Sequence, residues 1–306
     1  MDSAWLTDFL TLAETGSFSR AAEQRHLTQP AFSRRIRALE DWIGAPLFDR
    51  SIVPVTLTAP GREFLPEACR LMSGITEAQR LVRAAAEVAP VALKLGTTDA
   101  LAPGFVPGFL SAAGIVGDNG LLDVSVGTER ECEAALMRGE CQLLLSHRHD
   151  AAGAGTAGVD LVQAVLARDL LPPVGSPDFA AGFQHAQSPA DIPLLAHAED
   201  TLIERVFRAT LAKRLTNRHL APAFMSQSAA LLHAMALRGR GMAWLPLSLV
   251  RDDVAAGRLA ALGQQSWREP LDIVLTRGAA AGSDLLETVW ARAKSIDRRA
   301  FGLALP

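Results

Sequence analysis

From Thr28 to Glu40 the chain reads TQPAFSRRIRALE, and its polar groups have the types and spacing of a reading surface. The Gln29 amide, the Thr28 and Ser33 hydroxyls and the Arg34 and Arg37 guanidiniums fall together if Phe32, Ile36 and Leu39 form the opposite, core-facing stripe of a helix. Thr28 suits an N-cap, and Pro30 stands in the first turn, where a missing N–H costs nothing. Amide and guanidinium groups match base edges in a DNA major groove, while hydroxyls and cations match phosphates. A solvated amphipathic helix carries the same pattern, so the surrounding elements must discriminate.

Those elements favour DNA. Trp5, Leu6, Phe9, Leu10 and Ala13 make one apolar helical stripe, followed by a turn at Gly16-Ser17. Phe18 to Arg25 reads as a short helix with Ala21 and Ala22 at its centre, and a break at His26-Leu27 leads into the basic helix. Two short helices meeting through small residues, the second basic, form the helix-turn-helix pattern. Within residues 20–37 five arginines (20, 25, 34, 35, 37) face the single Glu23, while the whole chain carries a formal net charge of −3. Positive charge is therefore concentrated at one end.

Phe9-Leu10, Gly16-Ser17-Phe18, Ala21-Ala22, Gln29-Pro30-Ala31, Ser33, Ile36, Leu39-Glu40, Gly44, Pro46-Leu47-Phe48, Arg50 and Leu57-Thr58-Ala59-Pro60-Gly61 together resemble the LysR-type transcriptional regulators. The likeness runs nearly unbroken through the first sixty residues. It implies a winged helix-turn-helix, with Gly44 to Leu57 as the wing. Gln29, Pro30, Ser33, Arg34 and Arg37 are then implied as groove contacts, with Thr28, Arg50 and Thr58 near phosphates. Arg25 departs from the pattern, standing where the family usually has Leu, and an Arg there must snorkel or pair with a neighbouring acid.

Length and composition fit a multi-part soluble protein. The 306 residues amount to about two domain lengths of ~100–200 residues. Apolar residues make up 49%, and no apolar run approaches the ~20 residues that span a bilayer. The N-terminus has no basic region followed by an apolar one, and three cysteines speak against a disulfide framework. The expected location is the cytoplasm, with no membrane association.

Residues 58–88 read as one long helix. Phe64, Ala68, Leu71, Ile75, Ala78, Val82 and Ala85 recur at spacings of four and three, which makes a coiled-coil seam, although an intramolecular core helix shows the same stripe. Pro66 is a potential kink. Pairing with a second chain has a functional reason, because one reading helix spans too few base pairs. The family resemblance implies a homodimer, usually assembled into a homotetramer.

Beyond Pro90 the pattern alternates between strands and helices. Val91–Gly96, Leu121–Val126 and Gln142–Ser146 read as strands, with helices at Ala102–Ala112 and Glu129–Arg138, and this rhythm predicts a parallel sheet covered on both faces. Asp150 to Gly158 reads as a mobile loop. A second series follows: strands at Leu161–Ala167, Asp169–Gly175 and Pro193–Ala196, helices at Leu202–Arg214 and Ser226–Arg238, a late strand at Leu271–Thr276 and a closing helix at Asp284–Arg299. The expected division is residues 1–58 for the winged helix-turn-helix, 59–89 for a linker and dimerisation helix, and 90–306 for an effector-binding domain. Its lobes would be 91–161 plus 268–306, and 162–267. The layout resembles the family's effector domain, which implies the two-lobed α/β fold of periplasmic binding proteins, so the fold class is α+β multidomain. Gly241 to Pro246 and Gly257-Arg258-Leu259 are similar to its recurrent motifs.

Ligands of open α/β sheets sit at the carboxyl ends of strands, near helix N-termini. By position those ends are Thr97 to Ala100, Gly127-Thr128, Ser146-His147, Asp200 to Leu202 and Ser226-Gln227, with Thr97, Thr98, Asp99, Ala100, Thr128, Ser146, His147, Thr201, Leu202 and Ser226 as the candidate effector contacts. The hydroxyls would bind an effector, and His147 could offer a cation to an anionic one. Each hydroxyl is equally a helix cap. Asp99 adds negative charge, which weakens the case for a simple carboxylate ligand.

Other chemistry is thinner. Cys132 and Cys141 fall on a helix and at a strand entrance, so a bridge would need rearrangement, and buried thiols are the default reading. His147-x-His149 lacks a third metal ligand. The wording Trp5 to Leu12 and Pro30 to Glu40, with Arg25, is similar to the hypochlorite-responsive branch of the family, which implies a methionine-based response. Ile203, however, stands where a responding Met is implied. No catalytic constellation, cofactor motif or metal motif stands out. The implied partners are promoter or operator double-stranded DNA, a small-molecule effector and RNA polymerase. The competing reading is a two-lobed solute-binding or enzymatic domain with a helical interaction module.

Overall fold

The computed structural model describes residues 2–85, 91–115, 121–152, 161–185, 192–215, 220–279, 282–297, 301 and 303. The N-terminal unit is built on α1 (Ser3–Thr15), α2 (Phe18–Gln24) and α3 (Gln29–Ile43), with a two-stranded wing, β1 (Phe48–Asp49) antiparallel to β2 (Thr56–Leu57). Asp2, Ser17 and Thr28 cap the three helices through side-chain acceptors, and Gly16 and Gly44 end α1 and α3 in left-handed conformations. Leu6, Phe9, Leu12, Ala21, Phe32, Ile36 and Leu39 are fully buried in one core.

The linker helix α4 (Ala59–Ala85) carries Pro66 inside it. Its seam divides in two. Ala68 and Cys69 are buried and Phe64 stacks edge-on to Phe9 at 5.0 Å, so the first half packs onto the N-terminal core. Leu71, Ile75, Ala78 and Val82 are exposed, and Val82 reaches 70%. The seam is thus not one continuous coiled-coil face, because Phe64 and Ala68 are used within the chain. Ala85's side chain lies outside the described residues.

The remaining elements are β3 (Val91–Thr98), α5 (Val106–Ala112), β4 (Leu121–Gly127), α6 (Glu129–Met137), β5 (Leu143–Arg148), β6 (Leu161–Leu171), β7 (Pro173–Gly175), α7 (Pro177–His185), β8 (Ile192–His197), α8 (Leu202–Val206), β9 (Leu220–Ser226), α9 (Ala229–Leu237), β10 (Ala243–Trp244), α10 (Leu247–Ala255), β11 (Ala260–Ala261), β12 (Glu269–Gly278) and α11 (Asp284–Ser295). Helical geometry continues past α8 through a π turn at Phe207–Leu211 and a 3-10 turn at Ala212–Arg214.

The first lobe is a five-stranded sheet in the order β4-β3-β5-β12-β6. It is mixed rather than parallel: β3 runs parallel to β4 and β5, but β12 runs antiparallel to β5 and β6. The βαβ rhythm anticipated the parallel half, whereas the returning strand comes from the far end of the chain and arrives in the opposite sense. Leu161–Leu171 is one strand of this sheet, paired with β12 along its length. Residues 162–171 therefore extend the first lobe's sheet, ten residues that the sequence division placed in the second. The second lobe contains parallel β8 and β9 and the antiparallel set β10-β7-β11, joined by a bridge between Leu194 and Met242. Helices α7 and α10 and strand β9 are absent from the sequence reading. The expected loop at Asp150–Gly158 lies outside the described residues apart from a 3-10 turn at Asp150–Ala152.

Candidate DNA interface and effector cleft

The arginines of the N-terminal unit sort into two groups. Arg25 Nε donates to Asp8 Oδ1 at 2.7 Å, and Arg35 Nε lies 2.7 Å from Asp8 Oδ2 as an ion contact. Asp8 is fully buried, so the partner Arg25 requires is supplied from α1. Arg20 Nη2 donates to the Thr15 carbonyl at 2.7 Å. Arg34 and Arg37 are exposed and have no hydrogen bond or ion pair among the described residues. Thr28, Gln29 and Pro30 are exposed beside them and Ser33 is half-buried. Thr28 also caps the helix, accepting from Ala31 N–H at 3.4 Å. The free N-terminal face of α3 thus offers an amide, a hydroxyl and two guanidiniums, the set that reads a major groove.

Arg50 and Thr58 are engaged within the fold. Arg50 Nη2 donates to Glu40 Oε2 at 2.5 Å, and its guanidinium lies over the Phe18 ring at 5.1 Å. Glu40 Oε1 accepts from Leu47 N–H at 2.9 Å and from Phe48 N–H at 3.3 Å, which ties the wing's base to α3. Thr58 Oγ1 donates to the Pro46 carbonyl at 2.7 Å and accepts from Gly61 N–H at 3.1 Å, capping α4. Both residues set the wing's position. The family resemblance implied that both lie near phosphates, and the sequence does not display these internal partners. The Val55 N–H bond to the Gly16 carbonyl, at 2.9 Å, closes the wing onto the α1–α2 turn.

In the C-terminal domain seven of the ten expected cleft residues line one cavity between the lobes: Thr98, Asp99, Ala100, Thr128, His147, Thr201 and Leu202. Ser146 lines an adjoining cavity of about 290 Å³ that shares Glu129, His147 and Leu202 with it. Thr97 is fully buried off the cavity wall, and its carbonyl accepts from Cys132 Sγ at 3.1 Å. Ser226 accepts from Ser228 N–H at 3.0 Å and does not line the cleft. Thr128 and Thr201 are helix caps as well as wall residues: Thr128 forms a reciprocal capping box with Glu131, and Thr201 accepts from Glu204 N–H at 3.2 Å. Thr98 Oγ1, by contrast, is buried with no partner.

His147 does not offer a free cation. Its Nε2 lies 2.9 Å from Asp169 Oδ2, so any charge it carries is balanced inside the protein. The same carboxylate accepts from Leu170 N–H and Ser248 N–H, joining β5, β6 and the start of α10. His149 pairs separately with Glu269 at 3.1 Å. Among the described residues no group of three or more His, Cys, Asp or Glu is placed to hold a metal ion.

The structure adds Glu129, Arg130 and His197 to the cleft wall, and Asp200 and Gln227, which stand at the expected strand ends, line it too. His197 is buried and its Nε2 donates to the Trp244 carbonyl at 2.9 Å. Burial, opposed by that hydrogen bond and by Asp99, pushes its pKa down to about 4, so it is neutral at pH 7. Its place as the last residue of β8 was the only sequence signal for it. Glu133 in the adjoining cavity is pushed up to about 7 by desolvation and by Glu129. Arg205 Nη2 crosses between the lobes to Glu129 Oε2 at 2.6 Å.

The cysteines are buried and free. Burial pushes the Cys69 and Cys141 thiols up to about 12 and Cys132 up to about 11. They are therefore protonated at neutral pH, which removes the thiolate that oxidation and exchange require.

A reading helix joined to a two-lobed ligand cleft defines a DNA-binding regulator with an effector domain. Comparison with known proteins is consistent with this architecture from end to end. Residues 4–62 match the bacterial regulatory helix-turn-helix of the lysR family, and residues 91–295 match the LysR substrate binding domain. The chain belongs to the LysR family of transcriptional regulators. It is 26% identical to the HTH-type transcriptional regulator YjiE of Escherichia coli, over 97% of this chain and 95% of that protein. It is 30% identical to Vibrio fischeri DarR, solved in complex with DNA, with a TM-score of 0.57 and coverage of 97% and 99%. Full-length HypT of Salmonella typhimurium, a hypochlorite-specific regulator, is 25% identical with a TM-score of 0.56 and coverage of 96% and 97%. These likenesses do not single out the hypochlorite branch, and Ile203 is a buried residue of the cleft wall. The reading as a solute-binding or enzymatic domain gives way to the family match over both parts.

Proposed function

We propose that the chain works in the cytoplasm, without catalysis, as a homodimer or homotetramer that grips operator DNA through α3 and the wing. In this reading Gln29, Pro30, Ser33, Arg34 and Arg37 enter the groove, while Thr28, Arg50 and Thr58 hold the flanking backbone or the wing that meets it. The single observation that carries it is the open face of α3, where Arg34 and Arg37 are exposed with no partner among the described residues while Arg25 and Arg35 are held by Asp8. Residues 1–58 read the DNA, 59–89 link and pair the chains, and 90–306 bind the effector. The exposed Leu71, Ile75, Ala78 and Val82 support pairing through the second half of α4. RNA polymerase is the downstream partner that a position on promoter DNA implies.

Effector control fits the placement of α6. Its first turn lines the cleft at Thr128 and Glu129. At its other end Arg138 Nη1 donates to Glu14 Oε2 on α1 at 3.0 Å, and Met137 packs against the N-terminal core. One rigid helix therefore touches both the ligand site and the DNA-binding unit. A gel-shift titration of the upstream DNA over a range of salt tests the reading. Arg34→Ala is expected to weaken binding about 5- to 100-fold and to flatten the salt dependence. Binding that ignores salt and tolerates Arg34→Ala sinks it.

A further inference from the structure

Three helices, α6, α8 and α9, begin at the cleft, and each N-terminus is already served by a carboxylate of the protein. Glu129 and Glu131 lie in the first turn of α6, and Glu204 in that of α8. At α9, Ala230 N–H donates to Asp99 Oδ2 at 3.4 Å, from the opposite lobe. An incoming anion meets occupied positions.

Two basic side chains here, Arg205 and His147, are committed as well. Arg205 is held by Glu129 at 2.6 Å and by the Asp200 carbonyl at 2.9 Å, and His147 faces Asp169. Arg130 is exposed on the wall shared by the cleft and a second pocket under α1, and it forms no hydrogen bond or ion pair among the described residues. Beside Arg130, acceptor capacity remains open. Among the described residues no Lys or Arg side chain forms an ion pair with the Asp99 or Asp200 carboxylate; the latter meets only the Gln227 amide, at 3.4 Å. His197 is nine-tenths buried, and because its Nε2 donates to Trp244, its Nδ1 carries the ring's accepting lone pair, which meets no donor among the described residues. Thr98 Oγ1 is buried there without a partner.

We propose that the cleft takes a small molecule bearing an ammonium or guanidinium group, held between Asp99 of one lobe and Asp200 of the other, with His197 Nδ1 accepting a further hydrogen bond. This rests on the cleft being the effector site. A cation shared by carboxylates on opposite walls draws the lobes together, so binding and closure are one event.

Thermal-shift and calorimetric titration of the full chain with agmatine and putrescine, against acetate and citrate, tests it. The amines are expected to raise Tm at millimolar concentration while the anions do not. Asp99→Asn and Asp200→Asn, which keep the side-chain shape, should each weaken amine binding about tenfold or more. The cation assignment is overturned if neither amine shifts Tm, if an anion binds in their place, or if both Asn variants bind amines unchanged. Anion binding that weakens in Thr98→Val would leave the cleft reading standing and remove only the charge assignment. Binding of either class that ignores all three substitutions would remove both.

Discussion

The α3 face and the inter-lobe cleft, the two proposed binding surfaces, treat their own charges in opposite ways. On α3 the outward guanidiniums meet no acid among the described residues, and the buried Asp8 is consumed by Arg25 and Arg35 on the inner side. In the cleft, charges are mostly closed upon one another: Arg205 with Glu129, His147 with Asp169, Asp99 with the start of α9. The difference follows from the partner. A polyanion of regular shape is met by an unsatisfied cationic surface whose affinity comes from displaced counterions. A small ligand is discriminated by the few acceptors left open in an otherwise satisfied wall.

Four further measurements sharpen or break that contrast, beginning with the largest effect. Asp8→Ala leaves two inward arginines without their acid, and chemical denaturation should show a loss of about 3 kcal/mol. DNA affinity per folded molecule should stay near normal; a selective loss of affinity would mean that Arg25 or Arg35 belongs to the reading face. His197 comes next. Its folded pKa lies below the unfolded value of 6.5, so the unfolded chain binds more protons between about pH 4 and 6.5. Stability is full above pH 6.5 and falls as the pH drops through that window, by about 2–3 kcal/mol. His197→Gln, which can still donate to Trp244, should flatten the slope; an unchanged slope places the titrating group elsewhere.

Glu133 has the opposite sign. Its folded pKa of about 7 exceeds its ordinary 4.5, so stability falls as pH rises between those values. Glu133→Gln should therefore stabilise the chain by about 1–2 kcal/mol at pH 8 and by little at pH 4. Equal effects at both pH values contradict the burial account. The smallest effect is expected at the thiols. Native protein should react slowly with a thiol reagent and rapidly once unfolded, because Cys69, Cys132 and Cys141 are buried and protonated. Fast labelling of the folded chain would reopen redox sensing at Cys132 and Cys141.

The two surfaces also differ in how far they can be read from residues alone. The helix-turn-helix rests on short-range signals: Thr28 as cap, Pro30 in the first turn, Phe32, Ile36 and Leu39 at helical spacing, and all of these take the expected places. The cleft draws on turns separated by up to 130 residues, and strand ends predicted seven wall residues. They missed His197, because a single His closing an apolar strand has no local mark. They placed Ser226 on the wall, though its hydroxyl serves Ser228. The mixed sheet and the true reach of β6 were equally hidden, since strand sense depends on where β12 returns.

The sequence by itself determined the apolar periodicities, the caps and the local excess of arginine, because these act between residues a turn or two apart. Tertiary structure alone decided which of the adjacent Arg34 and Arg35 is left exposed and which is held by Asp8. It also decided that Arg50 braces Glu40, that α4 divides its seam, and that Asp99 and Asp200 line one cleft. Each of these turns on a partner distant in the chain, and a charge's role is set by the partner it meets.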